Sequence, residues 1–117
     1  MTLNLNLIVL RVKDIDASAR FYAALGITFK REQHGRGPIH LTGEAGQVLL
    51  ELYPAGQGAC SEAVRLGFSV CSLEGMLESI AAAGGTVVSE PKPGPGGVRA
   101  VLADPDGNRV ELVESAR

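Results

Sequence analysis

Two glutamates, Glu51 and Glu111, sit in matching apolar runs, Gln47-Val48-Leu49-Leu50-Glu51-Leu52 and Gly107-Asn108-Arg109-Val110-Glu111-Leu112, at a spacing of 60 residues. Two carboxylates brought together can divide acid and base roles, because each pushes the other's pKa. They can equally rest in ion pairs with an arginine. Each glutamate has a counterpart at the front of its half of the chain, Leu7 and Arg65, which are 58 residues apart. The equivalence follows from a duplication. Leu7 to Gly26 and Arg65 to Gly84 overlay at that one spacing, each an apolar strand leading to a helix start near Asp14 or Ser72 and closing at a glycine. A period this long, met twice, marks two copies of one supersecondary unit and not a solenoid. Equivalent positions of the two copies are expected to converge on one central site. The residue types at Leu7, Glu51, Arg65 and Glu111 therefore set the chemistry open to the protein.

The elements that must carry these residues can be read from periodicity. Leu3 to Val12 reads as a strand, with Ile8, Leu10 and Val12 on one face and Leu7, Val9 and Arg11 on the other. Asp14 or Asp16 can cap the helix that follows through Phe21, Tyr22 and Leu25 to Gly26. Strands are expected over Ile27–Glu32, Pro38–Thr42 and Gln47–Tyr53. The glycine- and proline-bearing segment 54–62 reads as a linker. In the second copy Val64–Cys71 is a strand, Ser72 an N-cap, and Leu73, Met76, Leu77, Ile80 and Ala83 recur at helical spacing up to Gly84-Gly85. Thr86–Glu90, Val98–Ala103 and Asn108–Glu114 are strands, and Asp104-Pro105-Asp106-Gly107 suits a tight hairpin. The reading is one α+β domain over 1–117, built of module one (1–53), linker 54–62 and module two (63–117). Each module is βαβββ, with one helix covering one face of four strands, and the uncovered faces of the two would form a shared concave surface.

Bulk properties narrow the function classes. With 117 residues, 45% of them apolar, the chain can bury a core. A net charge of -2 gives no basic footprint for nucleic acid or an anionic membrane. No stretch approaches the ~18 apolar residues of a membrane span, and the first residues lack a signal-peptide pattern. Cys60 and Cys71 form no metal knuckle or disulfide framework, and they read as free thiols of a cytoplasmic protein.

The plan of the two modules, with Asp14-Ile15-Asp16-Ala17-Ser18-Ala19-Arg20-Phe21-Tyr22-Ala23-Ala24-Leu25-Gly26 and Asp104-Pro105-Asp106-Gly107-Asn108-Arg109-Val110-Glu111-Leu112, resembles the vicinal oxygen chelate superfamily. That group holds glyoxalases, extradiol dioxygenases, epimerases, fosfomycin-resistance enzymes and bleomycin-resistance binding proteins. The resemblance covers nearly the whole chain and implies paired modules forming a cup, and a homodimer. In the metal-dependent members, histidine and glutamate ligands come from the opening and last strands of each module. Counting from Asp14 and Ser72 carries those positions onto Leu7, Glu51, Arg65 and Glu111.

Here the donor chemistry fails. Leucine has no lone pair, and a guanidinium stays protonated and only donates. A catalytic divalent metal takes about three protein ligands and an open position, and a cation at Arg65 repels another at close range. No metal and no other cofactor is expected at these positions. Arg65 is expected beside Glu51 and Glu111, supplying the positive charge in place of an ion.

Other candidates carry two readings each. Arg11 shares a face with Leu7, and Arg109 with Glu111, so both can line the cup and hold an anion, or stand in water at its rim. Tyr53 lies two residues beyond Glu51 and offers a phenol, or packs at a strand end. His34 and His40 are unorthodox ligands or proton shuttles, or ordinary half-exposed histidines. Lys92-Pro93-Gly94-Pro95-Gly96-Gly97 has no helix behind it and is no phosphate cradle, leaving a mobile lid or a long hairpin connection. Phe21 and Tyr22 are core or interface.

These readings favour a protein that binds a small polar or anionic molecule in the cup without a metal. Candidate contacts are Leu7, Arg11, Glu51, Tyr53, Arg65, Arg109 and Glu111. With no Trp and five Phe and Tyr residues in all, the chain is poorly supplied for stacking large planar drugs. The alternatives are a metal-dependent lyase, isomerase or dioxygenase recruiting a partner such as His40, and a non-catalytic dimerisation module.

Overall fold

The computed structural model describes residues 2–115. Contacts divide the chain into two compact units, Met1–Ser61 and Glu62–Arg117. Each is βαβββ, so the α+β class and the duplicated plan hold. Among the described residues, no helix is long and apolar enough to cross a membrane.

Unit one contains β1 (Leu7–Val12), α1 (Ile15–Ala23), β2 (Phe29–Glu32), β3 (His40–Ala45) and β4 (Val48–Pro54). The sheet order is β1-β4-β3-β2, with β1 parallel to β4 and the other pairs antiparallel. The alternation read from the sequence is realised: Leu10 and Val12 are buried, while Leu7, Val9 and Arg11 are exposed. Asp14, not Asp16, caps α1; its carboxylate accepts from the amides of Asp16 and Ala17. Gly26 follows at φ 109°, a left-handed turn that an L side chain rarely adopts. The core of this unit joins Phe21 and Tyr22, packed edge to face, with Leu41, Leu50 and Leu52.

Unit two contains β5 (Arg65–Val70), α2 (Met76–Ala82), β6 (Thr86–Gly94), β7 (Gly97–Ala103) and β8 (Arg109–Glu114), in sheet order β5-β8-β7-β6. Ile80, Ala100, Leu102, Val110 and Leu112 are buried in it. Asp104–Gly107 forms the expected tight turn. The Asp104 carboxylate accepts from the amides of Asp106 and Asn108, and Gly107 takes φ 88°.

Two expectations are corrected in unit two. Ser72 does not cap α2: the helix begins at Met76 behind Gly75, which takes φ 75° and breaks the turn before it. The Ser72 hydroxyl instead accepts from the amide of Glu74, and the Leu73 amide donates to Glu114. The segment Lys92–Gly97 is a hairpin tip, but its strands run further than expected, β6 on to Gly94 and β7 from Gly97, leaving Pro95-Gly96 as the turn. Proline at positions 91 and 93 is accommodated because β6 lies at the sheet edge, where an amide need not be donated, and Pro95 falls in the turn. Register shifts between Val87 and Lys92 absorb the rest.

Candidate functional site

Directly paired residues in a sheet lie on one face, so the register fixes which side chains meet. In unit one, Val9 pairs with Glu51, Arg11 with Tyr53, Thr42 with Glu51, Lys30 with Thr42 and Glu32 with His40. These residues share the face turned away from Leu10, Leu50 and Leu52. A groove of about 600 Å³ runs over it, lined by Lys30, Glu32, Thr42, Glu44, Leu49 and Glu51. In unit two, Arg65 pairs with Arg109, Gly67 with Glu111 and Val101 with Glu111. Arg99 is two residues before Val101 and joins the same face. A second groove, about 550 Å³, is bounded by the β6–β7 hairpin, Lys92, Arg99, Glu111 and Val113.

Glu111 is the focus of the second face. Its Oε1 accepts from Arg65 Nη2 at 2.9 Å and from Arg99 Nη1 at 3.0 Å. The Arg65 guanidinium, with Arg99 beside it, holds the Glu111 carboxyl below its ordinary value, against the opposing pull of partial burial. Arg99 was not singled out in the sequence. The signal for it is the alternation of β7, which sets it on the Glu111 face. Arg109, expected to line the site, turns its Nη1 back to the Gly107 carbonyl of its own hairpin at 3.3 Å. Arg11 is exposed, and its backbone amide donates to the Ser61 hydroxyl.

Glu51 is held differently. Thr42 Oγ1 lies 3.4 Å from Glu51 Oε2 and 3.0 Å from Glu32 Oε1. One hydroxyl carries one proton, so it donates to one carboxylate at a time, and Glu32 has the shorter contact. Tyr53 shares the Glu51 face and stacks on His40, with centroids 4.2 Å apart and planes 8° apart. His40 also departs from expectation: it is not half-exposed but 1% exposed. Its Nδ1 lies 3.2 Å from the Pro38 carbonyl, and its Nε2 lies 3.4 Å from the Tyr53 hydroxyl and 3.6 Å from Glu32 Oε1. His34 is exposed, as expected, with Nε2 3.8 Å from the same Glu32 oxygen.

Within each unit the duplicated positions offer at most one ligand residue to a divalent metal, Glu51 in unit one and Glu111 in unit two. Leu7 offers no lone pair, Arg65 only donates, and the Arg65 and Arg99 guanidiniums already hold Glu111 Oε1.

Comparison with known proteins now places the fold. The sequence profile of the Glyoxalase/Bleomycin resistance protein/Dioxygenase superfamily matches residues 4–112, and the chain belongs to that family. A hypothetical protein of S. aureus is similar at 25% identity and TM-score 0.75, over 96% of this chain and 93% of that one. A glyoxalase I variant from Zea mays gives 28% identity and TM-score 0.77, covering 93% of this chain but 45% of that longer protein. TnmS3, an antibiotic binding protein from Streptomyces sp. CB03234, shares the fold at TM-score 0.76 and 21% identity, over 98% of both chains. No curated protein matches the sequence.

Proposed function

We propose that the protein binds a small polar or anionic molecule, without a metal at the four duplicated positions. The observation that carries this reading is the Arg65–Glu111–Arg99 cluster. Two guanidiniums converge on one carboxylate oxygen, leaving other N–H groups of each half-exposed arginine free to meet an anion. The adjoining groove in unit two adds Lys92 and is of metabolite size. Arg109 lies on the same face, while Leu7, Arg11, Glu51 and Tyr53 offer a mixed apolar and polar lining in unit one. The antibiotic-binding relative supports a binding role for this fold, although the scarcity of aromatic residues favours a smaller ligand here. A cytoplasmic homodimer is the setting we assign to it.

Thermal-shift screening against anionic metabolites and antibiotics tests the reading. A ligand present at ~100 times its Kd stabilises the fold by about 2.7 kcal/mol. For a domain of this size that corresponds to a Tm rise of roughly 10 °C. The shift should disappear in the Arg65→Ala, Arg99→Ala double variant. A flat response across the library would remove the binding reading in favour of a purely associative module.

A further inference from the structure

The chain has two histidines, and the fold brings both to one glutamate. His40 opens β3 and is paired with Glu32, the last residue of β2, so register alone sets them side by side. His34 lies in the turn between the two strands, and its ring centroid is 5.1 Å from that of His40. One ligand atom each from Glu32, His34 and His40 lie within 4.8 Å of one another. From these contacts we infer that Glu32, His34 and His40 form a divalent transition-metal site at the β2–β3 turn, suited to Zn²⁺. The inference does not rest on the proposed anion binding, which uses other residues.

The orientation of His40 is the first argument. A carbonyl oxygen can only accept, so Nδ1 carries the proton it donates to Pro38. In the neutral form of the ring the lone pair is then at Nε2, the atom that faces Glu32 and lies 3.4 Å from the Tyr53 hydroxyl. Metal-bound histidines are commonly oriented in this way, one ring nitrogen donating to a carbonyl while the other coordinates. The stacked Tyr53 ring fixes the plane of the imidazole, and the site of its Nε2 is buried, which reduces competition from water.

Spacing is the second. Zinc bonds of ~2.0–2.1 Å at tetrahedral angles put neighbouring ligand atoms about 3.3–3.4 Å apart. The Glu32 oxygen stands 3.6 Å from His40 Nε2 and 3.8 Å from His34 Nε2, so both edges need to close by less than half an ångström. His34, with 75% of its side chain exposed, is free to rotate and shorten the remaining edge. Thr42 Oγ1 donates to the same Glu32 oxygen and steadies the carboxylate. Two imidazoles and one carboxylate form a borderline-soft, three-ligand set with room for a further ligand, which favours zinc over magnesium or calcium.

The test uses the untagged 117-residue chain, stripped with chelator and titrated with Zn²⁺ by calorimetry and with Co²⁺ by absorption. We expect one ion per chain, a tetrahedral Co²⁺ spectrum, and both imidazole proton signals moving together by one equivalent. Because His40 is buried, the variants are His34→Ala, at an exposed position, and Glu32→Gln, which preserves shape. Each should weaken binding on the order of 100-fold while leaving the fold intact by circular dichroism. Absence of binding by the parent chain would overturn the inference. So would unchanged affinity in His34→Ala and Glu32→Gln, or binding abolished instead by Glu51→Gln with Glu111→Gln.

Discussion

Replacing Asp104 with alanine should weaken unit two and loosen the placement of Glu111. The Asp104 carboxylate, 4% exposed, accepts from the Asp106 amide at 2.9 Å and from the buried Asn108 amide at 3.0 Å. Those bonds close the turn that sets Ala103 opposite Arg109, and so Val101 opposite Glu111. A slip of one residue would send Glu111 to the helix side of the sheet. A hydrogen bond to a charged acceptor contributes about 1.5–3 kcal/mol, and a buried amide left without a partner costs roughly 1–3 kcal/mol. The two overlap at Asn108, while the Asp106 amide can recover a bond from water. The expected loss is therefore about 2–4 kcal/mol. With a urea m-value of ~1.5 kcal/mol/M, the unfolding midpoint should fall by roughly 1.3–2.7 M. Asp104→Asn keeps an accepting oxygen and should lose less than about 1 kcal/mol. Urea denaturation followed by circular dichroism measures both. An Asp104→Ala variant within about 0.5 kcal/mol of the parent would refute the reasoning, since surface changes routinely fall in that range.

Gly43→Ala should destabilise unit one by about 1–3 kcal/mol, because an added Cβ would meet Ile27 Cγ2 at 2.5 Å and the Thr28 carbonyl at 3.0 Å. A variant as stable as the parent in thermal denaturation would show that the β2–β3 contact is looser than described. Removing both arginines beside Glu111 should return its titration towards the ordinary carboxylate value, as followed by NMR. Because the folded value is lowered, the arginines' contribution is present above the unfolded value and disappears as pH falls through the folded one. The stability gap between parent and Arg65→Ala, Arg99→Ala chains should thus be widest near neutral pH and shrink in acid. A gap that widens in acid would contradict that assignment.

Much of the fold was legible because it rests on local pattern. Alternation in Leu7–Val12, the Asp14 cap before an apolar helix, and aspartate, proline and glycine at 104–107 each have a local physical cause, and each is realised. The start of α2 was hidden because Ser72 is the better capping residue by type, whereas the left-handed Gly75 and the bond from the Leu73 amide to Glu114 hold the preceding segment out of the helix. The Arg65–Glu111 pair followed from strand positions, but Arg99 required the β7–β8 register. The histidine cluster was least legible. Pairing of Glu32 with His40 depends on where the β2–β3 turn closes, and the burial of His40 depends on Tyr53 from β4 stacking over it. Strand periodicity supplies neither.

We propose that the duplicated positions do not chelate a metal, with arginine supplying positive charge beside Glu111 instead. Titrating the untagged His34→Ala chain with Zn²⁺, Ni²⁺ and Mn²⁺ isolates those positions from the histidine cluster. Whatever weak binding the Glu32–His40 pair retains, no ion whose binding is lost on Glu111→Gln is expected. One tightly held ion per chain, lost on Glu111→Gln, would contradict it.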